Sequence, residues 1–538
     1  MQSLNSFIKA RPWVIPLVLA LVFIAITLPG IEWGLPDGWN PDELVQQVVK
    51  ALHGELVFDE ENFDYPSLPK YAMYWVGRLV LALGHGDTQV MWAARLLSVL
   101  LGAGLVALTF ALARRTGAGV YAAAFASLLV LTSSEFAQHA RFAHNDIYLV
   151  FFATLTTWAA LRYGQTGQRG WFYAACFAVG LTASSKYNGG ALLIVPLVFY
   201  ALHTRRGLWR DALRSGETLA LGAVAAFGGY ALGTPRALTW MTFYFKRLVP
   251  ALQNHAQYGR TPDSVQGFVG QWQRLWDVLG PALFLLGLAG LAYFLWRAVQ
   301  ALRARDLPAA APWLALSLAT LALDLPILIS YNYPARFFLP LLPLLAVMAA
   351  RLVEIILETL AARGWGRARP ALLLALAVVL VYSFLRVVSI GLLFANDARG
   401  PAGDFLATLP RGGIIEYTSY PPVIDRTQFD AARNYPLFFI KLPGQQVPEG
   451  KFFEYNTGAE GIADRQPTYL VIDSFIANRF NDPYTCELHP LDCAFFKALA
   501  AGETAYVEIG HFAYSLPAWL PRVPLSFLNP EIFIYQLQ

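Results

Sequence analysis

Charge is scarce in this chain. Only 14% of its 538 residues are charged, against 56% hydrophobic. An ordinary soluble domain carries about a quarter charged residues, so a single water-soluble globule is excluded. Cysteine is scarcer still: Cys176 lies in an apolar run, Cys486 and Cys493 in a polar one. That number excludes a disulfide-stapled scaffold, and the spacing in "CELHPLDC" is not a recognised zinc pattern. The same octapeptide closes a small disulfide loop only if its surroundings are oxidising, which leaves its pairing open. Internal repeats, heptads and low-complexity tracts are absent. The formal net charge of +4 says little by itself, and no nucleic-acid partner is expected.

What fills the chain instead is apolar runs near bilayer length, such as "VIPLVLALVFIAITLPGI" and "ALLLALAVVLVYSFLRVVSIGLLF". A helix crosses the hydrocarbon core with about 20 such residues. Spans are predicted near 13–30, 90–113, 119–135, 147–163, 171–185, 190–203, 217–233, 279–299, 311–330, 337–352 and 371–394. That makes about eleven in a polytopic α-helical membrane protein. The first run follows Lys9 and Arg11 as a signal peptide would. Its length, and the lack of a small-residue cleavage site before Glu32, predict an uncleaved span. Residues 68–83 carry Lys70 and Arg78 and read as an interfacial amphipathic helix.

Basic residues set the orientation. With the N-terminus in the cytoplasm, the inner loops hold Arg114 and Arg115, Arg162 and Arg169, and Arg205, Arg206, Arg210 and Arg214. Further along they hold Arg297, Arg303 and Arg305, then Arg363, Arg367 and Arg369. Every inner loop is then basic, as the positive-inside rule asks. The first outer loop, 31–88, collects Asp37, Asp42, Glu43, Glu55, Asp59, Glu60, Glu61 and Asp64. The membrane module is read as residues 1–395 of a multi-pass plasma-membrane protein. From 396 to 538 the runs shorten to strand length ("GGIIEYTS", "PTYLVIDSF", "TAYVEIG", "EIFIYQL"). That part reads as a soluble extracytoplasmic α/β domain, large enough to bury its own core.

Chemistry-bearing residues gather on the expected outer face. "NPDEL", Asn40 to Leu44, has a bland reading as a helix start, with Asn40 as cap, Pro41 at the first position and acids in the first turn. "HARFAHND" supplies His139, Arg141, His144 and Asp146; "SSKYNGG" supplies Lys186; "GTPRALTW" supplies Arg236; "SYNYPARFFLP" supplies Arg336. Each has a structural reading beside the functional one. Asp146 would cap span four, the histidines would sit satisfied at the interface, Lys186 would snorkel, and Arg236 and Arg336 would hold headgroups. A divalent metal on Asp146 and His144 is a further option, though the spacing is nonspecific. Asp324 lies within a span, where a carboxylate needs a cavity or a cation, and Arg336 is a candidate partner.

Taken in order, "GLPDGWNPDEL", "FDYPSLPKY", "HARFAHND", "GLTASSKYNG", "RFFLPLLPLLAVMAA" and "NDARGPAGDFLATLP" resemble the GT-C membrane glycosyltransferases. The resemblance is to the group of protein O-mannosyltransferases and lipid A aminoarabinose transferases, and runs from residue 34 to about 410. It implies a bacterial cell-envelope enzyme with a polyprenyl-phosphate-linked sugar donor and an inverting transfer on the outer side of the membrane. By resemblance, Asp42 is the base for the acceptor hydroxyl, Glu43 orients or tunes it, and Asp146 is the second acid. The chemistry asks for cations on the phosphate side: Lys186, Arg236 and Arg336. Tyr65, His139, Arg141, His144 and Asp324 are assigned to the acceptor pocket or its surroundings. No cofactor is implied with certainty; some relatives use a divalent metal. The chain departs from oligosaccharyltransferases in lacking a Trp-Trp-Asp motif. It departs from eukaryotic protein O-mannosyltransferases in having outer loops too short for a β-trefoil. The acceptor (protein, lipid or glycan) stays undefined. A transporter or flippase is the main rival, and a scaffold for a C-terminal binding domain is another.

Overall fold

The computed structural model describes residues 11–60, 63, 65–204, 212–257, 265–331, 333–366, 368–434, 462–523 and 527–538. Lys9, Glu61, Asp64, Arg205, Arg206, Arg210 and Arg367 lie outside the described residues. The chain divides into two compact units. One comprises Met1–Glu32 with Asp42–Ile390, the other Trp33–Pro41 with Gly391–Gln538. A nine-residue piece of the first loop, Trp33–Pro41, thus belongs with the C-terminal residues.

The first unit is helical. Each apolar segment read from the sequence falls on a helix, among them Val14–Thr27, Asp87–Arg115, Asn145–Thr166, Arg169–Ser185, Leu307–Leu328 and Ala368–Ala395. Among the described residues, six helices are long and apolar enough to cross a membrane. Val14–Thr27 and Val120–Leu131 are shorter apolar helices. The chain is a multi-pass membrane protein. Leu342 through Ala350 are buried without interruption, as a helix apolar all round must be when it runs through a core. The helix Gly267–Arg303 breaks at Gly280, whose φ of 73° suits glycine, followed by Pro281. Leu68–Ala82 is helical, as the amphipathic pattern predicted, but Lys70 is buried rather than at the edge.

The expected helix start at "NPDEL" is not found. Asn40 to Glu43 form a turn, and the helix begins at Val45 without a side-chain cap. Tertiary bonds replace the cap. Leu44 N donates to Ala143 O at 3.0 Å, and Ala143 N donates back to Glu43 Oε1 at 2.9 Å. This reciprocal pair pins the acidic turn to the stretch that carries His144 and Asp146.

The second unit is a mixed sheet with helices. Its strands are β1 (Ile414–Tyr417), β2 (Ala431–Asn434), β3 (Tyr469–Asp473), β4 (Tyr506–Phe512) and β5 (Ile532–Leu537), in spatial order β2-β1-β3-β5-β4. β1 runs parallel to β2 and β3, while β5 is antiparallel to β3 and β4. Every residue of β3 is buried, because apolar layers cover both faces of the sheet: Leu470 and Ile472 with Phe496 on one, Tyr469 and Val471 with Ile415 on the other. Cys486 and Cys493 form a disulfide. The piece Trp33–Pro41 is held here by Asp397, which accepts Trp33 Nε1 at 2.9 Å and both Arg399 Nε and Nη2 at 2.9 and 2.8 Å. Arg399 in turn lies over the Trp33 and Trp39 rings at 4.8 and 4.4 Å.

Candidate functional site

Asp42, Asp146, Lys186 and Arg336 come from four distant stretches and meet in one charge cluster. The reason lies in how their helices begin and end. Asn145–Thr166 starts after His144, which is extended, so Asp146 sits in its first turn where the helix dipole favours a carboxylate. Arg169–Ser185 stops at Lys186, also extended, before a 3₁₀ turn over Tyr187–Leu193. Asn145 Nδ2 donates to Ser185 O at 3.3 Å and sets these two ends side by side. Arg336 lies in a second 3₁₀ turn, Ala335–Leu341, which leads into Leu342–Ala362 and packs against Asn145–Thr166. Such short, irregular turns let a charged side chain leave the membrane helix it precedes.

Lys186 Nζ donates to Asp146 Oδ1 at 2.8 Å. His144 Nδ1 is 2.8 Å from Asp146 Oδ2, and Arg336 Nε is 3.7 Å from that same oxygen. Arg336 Nη1 donates to Asp42 Oδ2 at 2.6 Å. Tyr65 stands edge-on to the His144 ring at 5.5 Å, and Lys186 Nζ sits 3.8 Å above the Phe337 ring. The two acids differ in access. The Asp146 side chain is 0% exposed, that of Asp42 30%. Asp146 is therefore sealed in between the cations, while Asp42 is the more accessible of the two carboxylates. Burial pushes the His144 imidazole below its ordinary pKa, opposed by the Asp146 carboxylate.

A divalent metal does not fit Asp146 and His144. The positions around the Asp146 carboxylate are taken by Lys186 and His144, with Arg336 close behind, and a dication would be forced against two like charges. Among the described residues no three His, Cys, Asp or Glu side chains converge as ligands.

Other residues singled out in the sequence lie elsewhere. Glu43 does not face the cluster: Arg95 takes both its oxygens at 2.8 and 2.6 Å in a fully buried fork. Arg141 donates to the carbonyls of Ile26, Pro29 and Ala137, at 2.7, 3.0 and 2.6 Å, and so satisfies the end of the helix Val14–Thr27. His139 pairs with Glu135 at 3.0 Å. Arg236 pairs with Glu60 at 2.5 Å and lies over Trp240 at 4.5 Å. Asp324 neighbours Gln271, and the carboxylates bound to Arg336 are Asp42 and Asp146 instead. Arg95 escaped the sequence reading, and Lys70 was read as interfacial rather than buried. Arg95 sits in an apolar span, where its desolvation cost was the available signal. Lys70 donates to Tyr65 O at 3.1 Å, and its place on an amphipathic helix disguised it. Near it, burial raises the Asp59 carboxyl above its ordinary pKa, while the Ser67 hydroxyl that donates to it and Lys70 pull the other way.

Residues 84–247 match the sequence model of the family described as dolichyl-phosphate-mannose-protein mannosyltransferase. No curated protein sequence matches the chain. Among solved structures it is similar to ArnT from Cupriavidus metallidurans bound to undecaprenyl phosphate, at 18% identity and a TM-score of 0.47, with 98% of each chain covered. The apo state of that protein is similar at 16% identity and 0.49, again over 98% of each. The Archaeoglobus fulgidus oligosaccharyltransferase in complex with Zn and sulfate is similar at 14% and 0.48, over 93% of this chain and 72% of that one.

Proposed function

We propose that this chain is a GT-C glycosyltransferase that moves a sugar from a polyprenyl-phosphate donor to an acceptor hydroxyl, with inversion, on the extracytoplasmic side of the membrane. The observation that carries this reading is the linked set Asp42–Arg336–Asp146–Lys186. It offers one accessible base next to two cations anchored by a buried acid. The family match over 84–247 includes Asp146 and Lys186. The donor class follows from the motif order that resembles this group. The sidedness is supported by the basic loops read as cytoplasmic under the positive-inside rule.

The reaction needs a proton taken from an alcohol and charge stabilised on a leaving phosphate. Asp42 takes the hydroxyl proton as the acceptor oxygen bonds to the anomeric carbon. The bond from that carbon to the phosphate oxygen breaks, and its electron pair leaves with the polyprenyl phosphate. Attack opposite the leaving group inverts the centre. Lys186 and Arg336 receive the phosphate charge. Arg336 touches both the base and the second acid, so phosphate drawing on its guanidinium loosens its hold on Asp42 and makes Asp42 more basic. Asp146 and His144 hold the cations in place. Glu43 acts at a distance, by fixing the turn that carries Asp42.

The test is sugar transfer by purified protein from a polyprenyl-phosphate sugar. Asp42→Asn is expected to lose about 10²–10⁴-fold in rate while still binding the donor. Undiminished transfer by Asp42→Asn sinks the base assignment, and failure of every polyprenyl donor to bind sinks the class. Because two amino-acid cations occupy the phosphate side, chelation with EDTA is expected to leave transfer unchanged. Loss on chelation, with rescue by a divalent ion, would overturn that part.

A further inference from the structure

The C-terminal unit carries a cleft that the reaction just described does not use. It encloses about 210 Å³ and is lined by Asp37, Trp39, Pro41, Ser419, Tyr420 and Arg426, among others. Every one of these residues belongs to the second unit. Its volume falls below the roughly 300–1,000 Å³ of sites for drug-sized ligands, so it suits one ring rather than a stretch of polymer.

The walls are held rigid. Tyr420 stands edge-on to Phe475 at 5.4 Å and against Phe527 at 5.6 Å. Its backbone N donates to Asp473 Oδ2 at 3.1 Å, and the Thr418 hydroxyl donates to the same oxygen. Trp39 is packed edge-on to Trp33 at 5.5 Å, with Arg399 over it. Against this rigidity, two polar groups are unsatisfied. The Trp39 indole N–H and the Ser419 hydroxyl are buried and have no hydrogen-bond partner among the described residues. A buried polar atom left unpaired is costly, and native structures contain few of them. Asp37 and Arg426 are electrostatic neighbours, with burial raising the Asp37 carboxyl and Arg426 lowering it.

A carboxylate, a guanidinium and two spare polar groups in a small cleft walled by aromatic side chains suit a single ring with hydroxyls on its edge. We infer that this cleft is a subsite for a sugar ring of the acceptor. The inference rests on the glycosyltransferase reading for its role, though not for its chemistry.

Saturation-transfer NMR on the full chain in detergent tests this, with methyl α-D-mannopyranoside, methyl β-D-glucopyranoside and methyl β-D-glucosaminide as probes. At least one glycoside is expected to bind. Ser419→Ala and Arg426→Ala are each expected to weaken it five-fold or more without lowering Tm. Trp39→Phe keeps the packing and removes only the indole donor, so it serves as a third variant. Undiminished binding in all three variants, or no binding of any glycoside, overturns the subsite. Binding of a threonine-bearing peptide where no glycoside binds overturns it too, and assigns the cleft to a protein acceptor. Polyprenyl-phosphate sugar binding to the unmodified chain is measured in parallel. If that fails while glycosides still bind, the enzyme class falls and the sugar site stands; if donor binds and glycosides do not, the reverse holds.

Discussion

At the scale of single residues, the two acids of "NPDEL" turn out to do different work. Asp42 stays partly open and bonded to Arg336, while Glu43 is closed off with Arg95. Removing one partner of a buried pair strands the other charge, at a cost of about 3–5 kcal/mol. Arg95→Met and Glu43→Gln are therefore each expected to lower Tm sharply. The double variant Glu43→Gln/Arg95→Met should recover part of the loss, as thermal unfolding in detergent will show. Asp42→Asn, by contrast, is expected to lose activity with little change in Tm. His144 gives a pH signature. Its folded pKa is depressed by burial, below the unfolded value near ~6.5. The native state therefore binds fewer protons in that window. Its contribution to stability is full above about pH 6.5 and is lost as pH falls below that value. Tm measured between pH 7.5 and 5.5 should drop less in His144→Gln than in the parent chain. The cluster residues were legible because charge is conspicuous where apolar residues dominate. Asp42 was set apart from Glu43 by resemblance alone, since Arg95, which closes Glu43 off, is 52 positions away.

At the scale of elements, the apolar runs were readable as helices because bilayer length and composition leave few alternatives. Four strands of the sheet were readable by their apolar runs and turn residues. β2 was not: "AARN" has neither β-branched residues nor alternation, and it exists by pairing with β1. Tertiary contact also overrode the cap signals of "NPDEL". Close helix contacts were invisible as well. A Cβ on Gly180 would collide with the Ala226 carbonyl oxygen, and one on Gly229 with that of Phe177. Arg169–Ser185 and Ala212–Gly233 therefore approach backbone to backbone, as small residues permit in membranes. Gly180→Val should force these helices apart and displace Lys186 at the end of the first. The expected result is a lower Tm together with a donor affinity reduced at least several-fold. Unchanged donor binding in a folded Gly180→Val protein would show that Lys186 is positioned from elsewhere.

At the scale of the whole molecule, the Cys486–Cys493 disulfide bears on orientation. A bond of this kind persists in oxidising compartments, in keeping with a C-terminal unit proposed to lie outside the cytoplasm. In intact cells, a membrane-impermeant maleimide is expected to label these cysteines only after external reduction. Labelling that requires permeabilisation would invert the topology. The interleaving of Trp33–Pro41 with Gly391–Gln538 has a separate consequence for anyone dividing the protein. A fragment that begins at Gly391 leaves Asp397 and Arg399 without Trp33 and Trp39, and is expected to be insoluble or poorly folded. A membrane piece ending at Ile390 is left with two bare indoles ahead of its acidic turn. Neither half is a portable module: exchanging the C-terminal unit between relatives requires the nine-residue loop segment to travel with it, as a two-part graft.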